Sequence, residues 1–340
     1  MTAARRSPVL VLAAVAAIAA LVAAVLLVNA PGGASPELAA PGNHLAISAD
    51  QSKNGPIAMG NGVFAGGALK HDRSPDLRTI APQPVRALPA DEDQDQGDAD
   101  AAGRAPHARD TVVQTSQPST QMPGTTQNFE GIDFPGVVCN CAPPDTNGEA
   151  GATQYVQIVN EGFQVWNKST AASVYGPAAI TTIWSGFGGV CANNGEGDPV
   201  VLYDQLANRW VVSQFAGTSQ PTDECIAVSA TSDATGTWNR YDFHLGSNFF
   251  DYPKLAVWPD GYYMSMNVFN SSGTSFLGPQ AFVFDRTAML AGSAATFQTA
   301  ANLGSSVDPI LPADVDGSTP PPAGAPETFV RWPGAGAYQT

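Results

Sequence analysis

Four times in this chain an aspartate stands at the head of an extended phrase: PPDTNG at Asp145, GDPVVLYD at Asp198, DYPKLAVWPD at Asp251 and DPILPADVDG at Asp308. The intervals are 53, 53 and 57 residues, a period typical of stacked sheets and propeller blades. A unit of that size buries its apolar faces only against its neighbours, so the repeat constrains fold more than any single motif. The second unit shows the pattern most fully. VVLYDQ at 200–205, RWVVSQFA at 209–216, CIAVSA at 225–230 and WNRYDFHL at 238–245 are short runs separated by turn residues, as in one antiparallel sheet. The third unit reads PKLAVWP, GYYMSMNVF and AFVFDRT with a weaker strand near ATFQTA, and the first reads QYVQIVN, GFQVWNK and SVYGPAAI.

The expected fold is therefore all-β and propeller-like, with about three complete four-stranded blades and the start of a fourth. A β-sandwich also uses many strands but does not predict such a period. Alternation places Tyr262, Met264, Met266 and Val268 on one face of their strand and Tyr263, Ser265, Asn267 and Phe269 on the other. Both faces are largely apolar, as in a strand packed between neighbours. Thr340 falls about 30 residues into the fourth unit. The expectation is a truncated ring, completed by further chain or by a second copy, because open sheet edges favour association.

Composition divides the chain into three parts. Residues 1–30 carry Arg5 and Arg6 and then an unbroken apolar run over 9–28, long enough to cross a bilayer. Either an uncleaved signal-anchor or a cleaved signal peptide fits; Pro31 after the A-x-A-like site at Val28 to Ala30 hinders cleavage there. Both leave the arginines in the cytoplasm and export the rest, giving a single-pass membrane protein or a secreted one. Residues 31–127 show no sustained period and include the acidic run DEDQDQGDAD at 91–100, which reads as a disordered linker. Residues 128–340 form the folded part. It holds 19 acidic and 6 basic residues, a balance that argues against nucleic acid as a partner, since phosphate neutralisation needs Lys and Arg. Glycans, proteins and divalent cations such as Ca2+ remain open as ligands.

All four cysteines, Cys139, Cys141, Cys191 and Cys225, lie in the part expected to be exported, where an even count favours disulfides. Cys191 with Cys225 is the preferred pair, and closing that loop constrains the unfolded chain by about 4 kcal/mol in the loop-entropy picture. Cys139 and Cys141 pair with each other or cross to the other two.

Several phrases carry resemblances. TSDATGTW at 231–238 resembles the Asp-box turn of sialidase-like propellers, with a spacing that departs by one residue; such turns are structural. NFEGI, PPDTNG, YVQIVN, TIWSGFGGVC, GDPVVLYDQLANRW, DYPKLAVWPDGYYMSMN and FDRTAML, in that order from residue 128 onward, resemble a family of exported bacterial β-propeller proteins. That resemblance implies fold and location but no activity, and implies that relatives continue beyond residue 340. DYPKLAVWPDGYY also resembles the blade pattern of furanosidase and arabinanase-type glycosidases, whose inner strands carry catalytic acids.

The aspartates at the strand starts are the natural site candidates. If each opens an innermost strand, Asp145, Asp198 and Asp251 converge at one mouth, with Asp308 from the fourth unit. Converging carboxylates bind a hard cation or divide into acid and base for glycoside hydrolysis. They also cap strands and turns when they precede proline. Hydrolysis needs a glutamate from another unit, which the sequence does not place. Asp314 and Asp316 in DVDG resemble part of a calcium loop and, with Asp308, are the weaker metal candidates. His244 reads as a surface residue, no GxSxG phrase accompanies it, and the aromatic residues read as core. No cofactor motif is present. The sequence thus describes an exported binding or scaffold module of unknown ligand, with an inverting-type glycan hydrolase as the alternative.

Overall fold

The computed structural model describes residues 47–84, 124–132 and 143–331. The apolar run at 9–28, the acidic run at 91–100, and Cys139 and Cys141 lie outside the described residues. Among the described residues no helix is long and apolar enough to cross a membrane.

Residues 47–84 fall in the stretch expected to be structureless, and here the expectation fails. They carry β1 (Ile57–Gly60), β2 (Val63–Gly67) and β3 (Lys70–Arg73). The strands are too short for alternation to reveal, and the glycines that read as linker serve packing. A Cβ on Gly66 would lie 2.5 Å from the Phe297 ring, so the residue is small because an aromatic side chain occupies that space.

The repeats fold as antiparallel meanders. The first contains β4 (Asn147–Ala150), β5 (Gln154–Val159), β6 (Gly162–Asn167) and β7 (Ser173–Ala179) in sequence order. The second contains β8 (Gly195–Asp204), β9 (Arg209–Gly217), β10 (Pro221–Ser229) and β11 (Trp238–His244), with β3 added beyond β11. The third contains β12 (Phe249–Trp258), β13 (Gly261–Phe269), β14 (Phe276–Phe284) and β15 (Thr296–Ala300), with β2 and then β1 added beyond β15. A fourth, two-stranded sheet pairs β16 (Ile310–Pro312) with β17 (Phe329–Arg331). The first strands are neighbours in turn: β4 beside β8, β8 beside β12, β12 beside β16.

Alternation explains how the sheets stack. On the second sheet Val211, Ile226, Val228, Tyr241 and Phe243 pack with Leu255, Val257, Tyr262, Met264 and Phe282 of the third. Its opposite face sends Val201, Trp210, Val212 and Trp238 against Val156, Ile158, Phe163 and Val165 of the first. A sheet with two apolar faces must be covered twice, and burial of each such side chain contributes about 1.5–3 kcal/mol. The expected faces of β13 hold: Tyr262, Met264, Met266 and Val268 all belong to the core shared with the second sheet.

Two covalent or ionic ties reinforce the stack. Cys191 and Cys225 form the expected disulfide, with Cα atoms 5.7 Å apart. Asp204, fully buried, accepts two hydrogen bonds from Arg286, 2.7 Å from Nε and 3.0 Å from Nη2, and one of 3.0 Å from the Tyr262 hydroxyl. Bidentate geometry with every oxygen satisfied is what a buried ion pair needs to offset its desolvation. The TSDATGTW turn joins β10 to β11, where Asp233 accepts from Thr235 N at 2.9 Å and from Gln154 Nε2 at 2.8 Å.

Candidate functional site at the strand starts

Two first strands bulge at the same place. β8 and β9 pair Gly197 with Phe215 and Val200 with Ser213, and β12 and β13 pair Asp251 with Asn267 and Lys254 with Ser265. Each first strand thus carries one extra residue, which bends it and takes a backbone N–H out of the ladder. The residue before proline in each bulge, Asp198 or Tyr252, has positive φ, 41° and 54°; Asp145 matches them at 40°. Aspartate visits that region readily, but a bulky tyrosine there is a true outlier.

The structural repeat is therefore Asp145, Asp198 and Tyr252. Asp251 stands one residue earlier than the phrase alignment implies. The sequence period caught the unit and misplaced its third member, because a bulge shifts register without leaving a mark in the residue count.

The freed N–H groups are captured by side chains from the preceding sheet. Asn160, just after β5, donates from Nδ2 to Asp145 Oδ2 at 2.6 Å, and its Oδ1 accepts from Asp198 N at 2.8 Å. Gly197 has no side chain because a Cβ there would lie 2.5 Å from that same Asn160 oxygen, and its φ is 115°. Asp198 Oδ2 in turn accepts from Tyr252 N at 3.2 Å, which also donates to Asp251 Oδ1 at 2.8 Å. A relay of polar contacts runs from the first unit to the third.

Lys254 sits in this setting with Nζ 3.7 Å from the centre of the Tyr252 ring. Burial lowers its ammonium below the usual lysine range, and the charges of Asp198, Asp145 and Asp251 resist that shift. Burial raises Asp251 above the usual carboxylate range; the charge of Asp145 adds to this, while Tyr252 N–H, Asp198 and Lys254 oppose it. Glu224 of β10, which feels the charge of Asp198, is fully buried, and neither of its carboxylate oxygens has a hydrogen-bond partner of normal distance and angle among the described residues. Burial pushes it well above its ordinary value, Asp198 adds to the shift and the Ser213 hydroxyl works against it. Tyr252 remains 43% exposed, so the ring offers a stacking surface beside a concentration of acceptors.

Asp145, Asp198 and Asp251 lie near one another and near Lys254. Asp308 precedes β16. Asp314 Oδ1 accepts from Val257 N at 2.7 Å, which ties the chain after β16 to β12. Among the described residues Asp308, Asp314 and Asp316 belong to no group of three whose ligand atoms lie within 4.8 Å of one another. His244 is not a plain surface residue, since its Nδ1 lies 3.1 Å from Asp223 Oδ2 and its side chain is 20% exposed. Sequence reasoning missed Asn160, Tyr252, Lys254 and Glu224. The DYPK phrase held two of these, but nothing in it marks a bulge that re-aims both side chains. Glu224 carries no signal, because a glutamate within an apolar strand looks like an outward-facing residue.

No family model matches the chain, and no curated protein matches it. Two solved structures of an exo-β-1,3-galactanase from Phanerochaete chrysosporium, one with β-1,3-galactotriose and one with galactose, are similar at 9% identity and a TM-score of 0.27. Each alignment covers 42% of this chain and 43% of the galactanase chain, so the chain spans less than half of those proteins. At that TM-score the likeness bears on neither the fold nor the site.

Proposed function

We propose that this chain is an exported, membrane-anchored binding module of propeller-like architecture, and that it takes a polyhydroxylated ligand of the glycan class where the first strands begin. The neighbouring first strands and the face-to-face order of the meanders support the architecture. The observation that carries the binding reading is the meeting of Asp145, Asp198, Asp251 and Lys254 beside the exposed ring of Tyr252, held at positive φ. Strained backbone persists where the surroundings over-determine it, and such places cluster at ligand sites. Carboxylates accept from sugar hydroxyls, the ammonium donates to them, and the phenol ring stacks on a sugar face.

Hydrolysis is the second reading. It draws on two carboxyl groups raised by burial, Asp251 and Glu224, close to the charge of Asp198. Divergent protonation of neighbouring carboxyls is how acid and base roles are divided in glycan chemistry. A single experiment separates the readings. Asp198→Asn and Asp251→Asn variants are compared with the parent for folding by circular dichroism, for retention on a glycan panel, and for release of reducing ends. Folded variants that lose retention, with no turnover in the parent, support binding. Turnover in the parent that both variants lose establishes the hydrolase, and loss of fold in both reduces the aspartates to structure.

A further inference from the structure

A second buried group of polar side chains plays no part at the strand starts. β10 and β11 are paired so that Cys225 faces Asp242 and Asp223 faces His244. Cross-strand partners share a face, so all four side chains lie on the side of the sheet where the short helix Gly189–Asn193 brings Cys191 to Cys225. The two sulfur atoms and one Asp242 carboxylate oxygen all lie within 4.8 Å of one another. Cys191 and Cys225 are fully buried and Asp242 is 6% exposed.

Asp242 Oδ1 is buried without a hydrogen-bond partner among the described residues. That is costly for a carboxylate, and a disulfide offers it neither a proton nor a positive charge. The groups around it are the Asp223 carboxyl, which also accepts from the Thr222 hydroxyl at 2.6 Å, the His244 ring and the Lys70 ammonium. Arg240 on the same strand is committed elsewhere, bidentate to Asp72 and bonded to the Ile183 and Ser185 carbonyls. Lys70 is held by the Phe187 carbonyl. Burial first, then the Asp223 charge, push Asp242 up to about 7 against the opposing pull of His244 and Lys70.

We propose that Cys191 Sγ, Cys225 Sγ and the Asp242 carboxylate form a redox-gated site for a borderline-soft divalent cation of the zinc class, closed while the disulfide is intact and opened when it is reduced. Two thiolates and one carboxylate are an accepted donor set for such a cation, leaving a fourth position for water. The steps balance. A phosphine or dithiol reductant gives two electrons to the sulfur–sulfur bond and is itself oxidised, and two protons from solvent complete the thiols. Cation binding then releases both thiol protons, together with the Asp242 proton where that group holds one. The carboxylate oxygen left without a partner gains one, and Asp223 with His244 behind it supplies the outer hydrogen bonding that orients a ligand carboxylate.

The test uses the full chain, produced in a reducing cytoplasm and kept under phosphine so that the disulfide never forms, with an oxidised sample alongside. Co2+ is titrated as the spectroscopic probe. The expected result is thiolate-to-cobalt charge transfer and tetrahedral visible bands saturating at one cation per chain, reversal by Zn2+, and no bands in the oxidised sample. Asp242→Asn is expected to weaken binding about tenfold or more. Asp242→Glu keeps a carboxylate at this position and is expected to restore part of the affinity that Asp242→Asn loses, which separates ligation from packing. A folded, reduced chain with no charge transfer overturns the proposal. So does equal binding by the oxidised chain, unchanged affinity in a folded Asp242→Asn chain, or a reduced chain that unfolds and is not restored by cobalt.

Discussion

Asp198 and Asp204 stand at opposite ends of the same first strand, β8, and the fold treats them in opposite ways. Asp204 is wholly buried and fully answered, with Arg286 bidentate across it and the Tyr262 hydroxyl completing its shell. Asp198 is only half-buried, sits at positive φ, and shares its surroundings with Asp145, Asp251 and Lys254. One carboxylate closes the stack of sheets, and the other opens onto solvent with its neighbours crowded around it. Sequence type does not separate a structural carboxylate from a functional one. What differs between these two is burial and the backbone: Asp204 is wholly buried, whereas Asp198 is partly exposed and held at a positive φ of 41°.

The largest effect is expected at the closed end. Asp204→Ala leaves Arg286 and the Tyr262 hydroxyl buried without their acceptor and should cost about 3–5 kcal/mol in chemical denaturation. A loss below about 1 kcal/mol would mean that water enters the tie, and the comparison would break.

At the open end the effect of pH comes next. Glu224 and Asp251 are raised in the folded chain, so the native state holds protons that the unfolded state has released. Stability therefore falls as pH rises from the ordinary carboxylate range through the raised values. Glu224→Gln cannot titrate, and its advantage over the parent should grow as pH rises through the range where Glu224 gives up its proton. Equal slopes in melting temperature against pH for parent and variant would show that Glu224 is ionised and paired.

Smaller effects belong to the strained residue. Tyr252→Asn puts in a side chain that tolerates positive φ and should gain about 1 kcal/mol, while retention on the glycan panel is lost with the ring. A destabilised Tyr252→Asn chain would assign the ring to packing. Smallest of all, Asp251→Asn should change stability by less than about 1 kcal/mol, because it removes a carboxylate that burial already disfavours.

Much of the fold was legible. The spacing of Asp145, Asp198 and Asp251 marked the units, the run at 200–205 was read as a strand, and alternation in 262–269 gave the core-facing side of β13. The disulfide followed from Cys191 and Cys225. The N-terminal strands were not legible, because 57–73 is short and glycine-rich, and apart from the β1–β2 hairpin it pairs with β11 and β15, far away in sequence. The site was half legible. Its aspartates were visible, whereas Asn160, Tyr252 and Lys254 became site residues through bulges and sheet-to-sheet capture. Those are long-range events without a local pattern.

The central claim is that the strand starts are built for a ligand and the buried tie is built for the fold. Isothermal titration of the parent and of Asp251→Asn with the best glycan from the panel, run beside denaturation of both, tests it most directly. The predicted result is equal stability within about 1 kcal/mol and at least a tenfold loss of affinity in the variant. Unchanged affinity in a folded variant, or loss of folding together with binding, would contradict it.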